Sequence, residues 1–393
     1  MDRRVELLAP SGDLERLKIS LLYGADAVYI GGQEYSLRAN ANNFSIEEIK
    51  EACDFAHKLN KKVYLTLNIV FHNEDLDNVY SFIKAVVDSG IDAFIVSDPF
   101  IIKYIKENFN VEVHLSTQGS TTNKESVKYW KDEGVDRVVL AREVSIKEIK
   151  EIYDETKIDL EVFIHGAMCT FYSGRCTLSN YFTNRDSNRG GCAQICRFAF
   201  DIEDSKTKFT MATKDLNMAS ILDKLISAQV KSLKVEGRMR SPYYLATVLS
   251  SYRKLIDAYY NNTLTEELIN KQEKILSRVA NRETSTHYYL KEADYTDQYY
   301  TGRQELSNQD FLALVLDYDE KEKIATLTER NYFKVGDEVE IFTPSGETFS
   351  FKVDNLFDEF MNPIDVARHP EEILKMKIDY PICKDSMMRV KVK

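Results

Sequence analysis

Between residues 5 and 260, short runs rich in Val, Ile and Leu alternate with longer segments in which apolar residues recur at helical spacing among charges. This is the pattern of βα units feeding a parallel sheet. Eight runs qualify as strands, at 5–9, 27–31, 62–68, 93–97, 112–116, 137–141, 160–165 and 232–236, and the spacing predicts helices between them, including 45–59, 74–89 and 242–260. Three phrases, Tyr23-Gly24-Ala25-Asp26-Ala27, Ser89-Gly90-Ile91-Asp92-Ala93 and Glu133-Gly134-Val135-Asp136-Arg137, repeat one device in which a helix ends on Gly and the chain turns directly into a strand. Eight strand–helix repeats predict an α/β fold, a closed (β/α)8 TIM-like barrel over residues 1–260. An open doubly wound sheet is the alternative, because periodicity does not show closure.

The last step of the repeat is much longer than the others, from the run at 160–165 to the run at 232–236. In parallel barrels the site is built from loops at the C-terminal ends of the strands, which makes the loop at 166–212 the candidate site. Residues 261–306 read as a charged helical linker. From about residue 310 the pattern changes to short alternating strands with turns such as Val335-Gly336-Asp337 and Pro344-Ser345-Gly346, predicting a small antiparallel β-barrel domain over 307–393.

Composition narrows the class. The 393 residues are 44% hydrophobic, with 15 Gly and 7 Pro, so the chain can bury a large core and is neither disordered nor fibrous. Its start, Met1-Asp2-Arg3-Arg4-Val5, lacks the apolar core of a signal peptide, and no run approaches a membrane span. The expectation is a cytoplasmic protein without a membrane partner. Thiols stay reduced in that compartment, so clustered cysteines point to a metal or catalytic site rather than to disulfides.

Four of the six cysteines fall in the long loop as Cys169, Cys176, Cys192 and Cys196, spaced C-x6-C-x15-C-x3-C. Four thiolates this close in sequence can close a tetrahedral set around zinc or hold a [4Fe–4S] cluster. The spacing leaves both open. Cys53 and Cys383 stand alone and read as core residues. Neither H-E-x-x-H nor G-x-S-x-G occurs. A nucleophilic pair of Cys169 with His165, four residues earlier at a strand end, is the conceivable peptidase arrangement.

Glu161, Phe163, Gly166-Ala167-Met168-Cys169, Gly174, Cys176, Leu178 and Ser179 match the signature of peptidase family U32, the collagenase-like proteins. The resemblance extends to Leu8-Ala9-Pro10-Ser11-Gly12, Arg38-Ala39 with Asn43-Phe44-Ser45, Lys214-Asp215-Leu216 and Leu233-Lys234-Val235-Glu236-Gly237-Arg238-Met239. The length and C-terminal β-domain look most like the branch that forms 5-hydroxyuridine at the tRNA wobble position without dioxygen. That resemblance implies prephenate or a similar small carboxylate as hydroxyl donor and a [4Fe–4S] cluster on Cys169, Cys176, Cys192 and Cys196. It also implies that a paralogous subunit can take part. A U32-type peptidase and a non-catalytic RNA-binding partner of a modification complex are the other readings.

Residues just past the strand ends would share one polar mouth. Arg38, Arg142 and Arg238 are candidates to hold a carboxylate, with Asn43 and Gln118 beside them, because Arg binds carboxylates bidentately. His165, Lys214, Asp215 and Glu236 are candidates for proton transfer, although Asp215 could instead cap a helix beginning at Leu216. The net charge is −11, yet residues 175–197 carry Arg175, Arg185, Arg189 and Arg197 against Asp186, beside Tyr181 and Phe182. Those residues are the expected RNA contacts, the rings stacking bases. Lys231, Lys234, Arg238 and Arg240 form a second basic cluster in the sequence.

Overall fold

A computed structural model of the chain describes residues 4–37, 43–203, 206, 208–280, 282–299 and 309–392. Its first seven strands are β1 (Glu6–Pro10), β2 (Ala27–Gly31), β3 (Lys62–Leu67), β4 (Ala93–Val96), β5 (Glu112–Leu115), β6 (Arg137–Val139) and β7 (Asp159–Gly166). The short β8 (Asp215–Asn217) precedes β9 (Ser232–Val235). β1 to β7 pair in sequence order, all parallel, and β9 closes the ring by pairing in parallel with both β7 and β1. The sheet is therefore a closed eight-stranded barrel, and the open-sheet alternative is excluded. Between the strands lie α1 (Leu14–Leu22), α2 (Ile46–Lys58), α3 (Leu76–Asp88), α4 (Pro99–Asn108), α5 (Lys124–Asp132) and α6 (Ile146–Thr156). They are followed by α7 (Leu178–Thr183), α8 (Leu222–Ser227), α9 (Pro242–Tyr260) and α10 (Glu266–Ser277).

Local chemistry explains the boundaries. α2 and α6 each begin at a Ser whose Oγ accepts an N–H from a Glu three residues on, while that Glu accepts the Ser N–H. Gly24, Gly90 and Gly134 take φ of 108°, 91° and 85°, the left-handed turn that their repeated phrase predicts. The outward strand residues, such as Leu7, Val28, Leu65, Val96 and Leu115, are sealed against the helices in the main core.

The inward residues are different. Leu8, Ala27, Tyr29, Tyr64, Ala93 and Ile95 form a separate apolar cluster, and next to it lies a set of buried charges. Glu161 is fully buried; its Oε1 accepts from Lys234 Nζ at 2.7 Å and its Oε2 from Arg137 Nη1 at 3.1 Å. The same Arg137 nitrogen reaches Glu6 at 2.7 Å, and Tyr64 donates its hydroxyl to Glu6 at 2.6 Å. Lys234 also lies 4.4 Å from the centre of the Tyr29 ring. Lys234 therefore does not act with the second basic cluster of the sequence: the barrel's alternation turns it inward, where Glu161 neutralises it.

The chain after α10 does not run as a bare linker. The strand Thr284–Ser285 pairs with β8, and β8 itself pairs antiparallel with the end of β7. Asp215 therefore opens a strand and caps no helix. The C-terminal unit is a seven-stranded antiparallel sheet with a separate two-stranded ribbon. The strands 348–352 and 357–358 at its two edges are not paired with each other among the described residues. It is attached through Tyr23, whose hydroxyl donates to Asp385 O at 2.8 Å, and Tyr243, which donates to Asp310 at 2.7 Å and stacks on Phe311 with ring centres 4.5 Å apart. Cys53 is buried in the main core as expected, but Cys383 is exposed, in the turn before the strand Met387–Val390, where Ile382 takes the buried position. No helix among the described residues is long and apolar enough to cross a membrane.

Removing Glu161 leaves the buried Lys234 ammonium without its carboxylate and Arg137 with Glu6 alone, so Glu161→Leu is expected to lower stability by about 3–5 kcal/mol in a denaturant titration. Burial pushes the Glu161 carboxyl up, but Lys234 and then Arg137 outweigh it and hold the pKa down at about 2. A depressed carboxylate contributes stability that is present above its unfolded value of ~4.3 and lost as pH falls towards 2. The wild type is expected to lose stability across that acid window, and Glu161→Leu to lose less.

Candidate active site at the barrel mouth

The insertion after β7 lies over the C-terminal end of the barrel and is fastened there at several points. Arg189 clamps it to the β3–α3 loop, pairing with Asp75 through Nη2 at 3.0 Å and donating from Nη1 to Val70 O at 2.8 Å. Val70 N donates back to Asn188 O at 3.1 Å. Within the insertion, Asn188 Nδ2 donates to Cys176 O, and Ala193 N to Ser179 Oγ. Later in the insertion Phe200 and Phe209 form an isolated antiparallel bridge.

All four insertion cysteines are free thiols; Cys169 and Cys192 are exposed and Cys176 and Cys196 half-buried. Burial raises the Cys196 pKa first, Arg197 and Thr170 oppose it, and Cys169 and Cys192 add to the rise, so these three thiols are electrostatic neighbours. Free cysteine is ordinarily among the most buried residue types. Exposed, mutually interacting thiols on a fastened loop suit metal ligation as a donor set. Among the described residues, however, no three His, Cys, Asp or Glu side chains are drawn together into a formed metal site.

Beneath the insertion, the mouth is polar. Arg238 is buried and donates from Nη1 to Ser36 Oγ at 3.0 Å, with Thr66 Oγ1 at 3.5 Å. A Cβ on Gly31 would strike that guanidinium, so a glycine is needed for Arg238 to cross the mouth, and Asn43 Oδ1 lies beside the same point. The Arg142 guanidinium lies over the Phe163 ring, 4.0 Å from its centre, and its Nε is buried without a hydrogen-bond partner. Arg142 and Glu143 do not pair with each other; Glu143 instead accepts from the N–H and hydroxyl of Ser173 at 3.2 and 3.3 Å. Gln118 sits under the insertion, its backbone in the path of any Cβ on Gly174. Arg38 lies outside the described residues.

The expected proton-transfer residues do not form one group. His165 follows a register irregularity in the β7–β9 pairing, which turns it outward opposite Val235. It is buried between β7 and α9, with Nδ1 3.3 Å from the Tyr252 hydroxyl and the ring packed on Tyr244 and Tyr252. Burial first, and then Arg240, hold its pKa down at about 3. It is a neutral packing residue, and the Cys169–His165 nucleophile arrangement does not form. Lys214 pairs with Glu283 at 2.8 Å. Asp215 is buried between Arg282 at 2.9 Å and Arg240 at 3.7 Å; burial raises its carboxyl pKa above the usual value, and the two arginines offset only part of that rise. Glu236 stands at the end of β9, where its N–H donates to His165 O.

Sequence reasoning missed the wall formed by residues 282–299. His287 Nε2 is 2.9 Å from Lys214 O, and Tyr289 donates its hydroxyl to Phe163 O at 2.6 Å, both side chains being buried. The cue available was Arg282-Glu283 followed by His287-Tyr288-Tyr289, a functional composition inside a supposed linker. Among the expected RNA contacts, Tyr181, Phe182, Arg175 and Arg185 are exposed, and Arg197 is half-buried and hydrogen-bonded to Gln194 at 2.6 Å. Arg189 is spent on Asp75 and is a tether.

Two family models match the chain, one described as peptidase family U32 over residues 12–299 and one as its C-terminal domain over residues 307–389. The chain is 47% identical over 402 residues to tRNA hydroxylation protein P1 of Bacillus subtilis, covering 98% of this chain and 95% of that one. It is 32% identical to tRNA hydroxylation protein P of Escherichia coli, covering 87% and 86%. It is also 33% identical to a collagenase of Porphyromonas gingivalis, covering 89% of each chain.

Arg189→Ala is expected to release the insertion locally: amide exchange across residues 176–192 should quicken roughly tenfold or more while the global unfolding midpoint stays within a few degrees. Unchanged exchange would show that the clamp does not hold the loop.

Proposed function

The chain belongs to peptidase family U32, and from that membership we propose that it is an RNA-modifying enzyme that hydroxylates tRNA. The observation that carries this reading is the near full-length match, at 47% identity, to a protein named for tRNA hydroxylation. In its finer form, the reaction makes 5-hydroxyuridine at the wobble position, with prephenate or a similar small carboxylate giving the hydroxyl without dioxygen. Arg142 and Arg238 support a carboxylate subsite, because guanidinium groups held rigidly at a mouth are suited to carboxylate oxygens. Arg142 rests on an aromatic face with its Nε buried, and Arg238 is held across the mouth by the Ser36 hydroxyl.

A [4Fe–4S] cluster on Cys169, Cys176, Cys192 and Cys196 would supply an electron-transfer centre at the rim when bound. The chain's own contribution is positional. Asp75 and Arg189 hold the thiol-bearing loop over the mouth, and the 282–299 wall narrows access to it. Asp215 is buried between Arg240 and Arg282. The exposed Arg175, Arg185 and Tyr181 offer phosphate and base contacts outside the mouth.

The collagenase relative keeps a peptidase reading in view, but one observation weighs against it. His165 is engaged with Tyr252 on the helix side of the strand, which leaves Cys169 without an activating base at that position.

Anaerobic purification is expected to yield a brown protein with about four irons per chain, and alanine at any of the four cysteines to abolish the colour. A colourless wild type with zinc or no metal would reject the cluster. Nucleoside mass spectrometry of tRNA from cells lacking this protein and any redundant hydroxylase is expected to show loss of 5-hydroxyuridine. An unchanged level would reject the substrate assignment.

A further inference from the structure

Two tyrosines at the mouth face outward because their neighbours are pinned inward. Ser173 is buried, its N–H and hydroxyl donating to Glu143 and its carbonyl accepting from Ser120 Oγ. The adjoining Tyr172 is left 64% exposed. On the opposite segment, His287 and Tyr289 are both buried and bonded to Lys214 O and Phe163 O, so Tyr288 between them is presented half-exposed at the rim. The two phenols share a neighbourhood with Glu143: burial, then Glu143, then Tyr172 raise the Tyr288 pKa. Arg142, next to Glu143 in the chain, has its guanidinium over the Phe163 ring at the mouth.

We propose that Tyr172 and Tyr288 form a clamp that stacks an unpaired RNA base at the entrance to the mouth, a role that rests on the tRNA-hydroxylation reading above. Single exposed aromatics are ordinary on a protein surface and carry no message. Here two rings come from segments more than a hundred residues apart: Tyr172 adjoins Ser173, which donates to Glu143, and Tyr288 adjoins Tyr289, which donates to the carbonyl of Phe163, the residue whose ring Arg142 covers. Enzymes that act on a base must take it out of its stack, and aromatic side chains replace the lost stacking. Charge complementarity selects RNA as the occupant: Arg175, three residues beyond Tyr172, is exposed with Nε 3.2 Å from Ser120 Oγ, and Arg185 is exposed on the same insertion. Tyr172 and Tyr288 act on the target base itself, whereas Tyr181, within α7, is 87% exposed and is left to contact flanking nucleotides.

The test uses the full-length protein and an anticodon stem-loop RNA carrying 2-aminopurine in place of the wobble uridine. Binding is read by fluorescence anisotropy and stacking by 2-aminopurine quenching, for the wild type, Y172A, Y288A, Y172F and Y288F. Each alanine variant is expected to weaken binding about tenfold and to lose the quenching, while the phenylalanine variants stay within about twofold of wild type and keep it. Alanine variants that melt like the wild type yet bind and quench equally would overturn the clamp and leave the tRNA reading standing. A wild type that neither binds nor quenches the stem-loop would overturn the tRNA reading and the clamp with it. Phenylalanine variants that melt normally but lose quenching would also overturn it, since stacking does not need the hydroxyl.

Discussion

The barrel closes around a buried carboxylate. Glu161 sits on β7, Arg137 on β6, Lys234 on β9 and Glu6 on β1, and these four strands are consecutive around the ring, the seam where β9 joins β7 to β1 included. Two acids and two bases balance, so this set leaves no uncompensated charge of its own in the interior; Glu161 bonds to residues of both neighbouring strands, and Arg137 reaches across to Glu6 on β1. An apolar filling of similar volume would have packed as well or better. What the ionic set adds is register, because a one-residue slip of any of these strands would turn its charge into the helix-facing core. The closing strand is thereby placed, and with it Glu236 and Arg238 just beyond its end.

From that placement the site follows. Arg238 can cross the mouth only because Gly31 leaves space for it, and Arg142 reaches Phe163 because β6 and β7 are adjacent. The insertion that carries the four cysteines leaves β7 and is brought back over the same opening by Arg189 and Asp75. Residues 282–299 complete the enclosure through Tyr289 and the pairing of Thr284–Ser285 with β8. The mouth is therefore assembled from three separate stretches of chain, while the C-terminal sheet is bolted to the barrel through Tyr23 and Tyr243.

Much of this was legible in the chain. The eight strands fell close to their observed positions because parallel barrel strands leave continuous apolar runs, and the helix ends were marked by Gly24, Gly90 and Gly134. The cysteine loop announced itself by its length and spacing. Other features were not legible. His165 looked like a mouth residue because strand parity was counted without the irregularity beside Phe163, which no local sequence feature marks. Arg189 and Lys234 looked like surface charge because a list of basic residues does not contain their partners, Asp75 and Glu161, which lie 114 and 73 residues away. Cys383 looked like core because free cysteine usually is.

By itself, the sequence determined the order of βα units, the lone long insertion, the change to a β-rich C-terminal unit and the presence of four clustered thiols. These are consequences of periodicity, turn chemistry and composition, all of which act over a few neighbouring residues. Only the tertiary structure decided which charges are inside the barrel, which arginines stand at its mouth, that His165 is neutral packing, and that a supposed linker forms the mouth's wall. Each of those depends on a partner brought close by chain closure, and an ion pair or a buried environment has no signature at either residue alone.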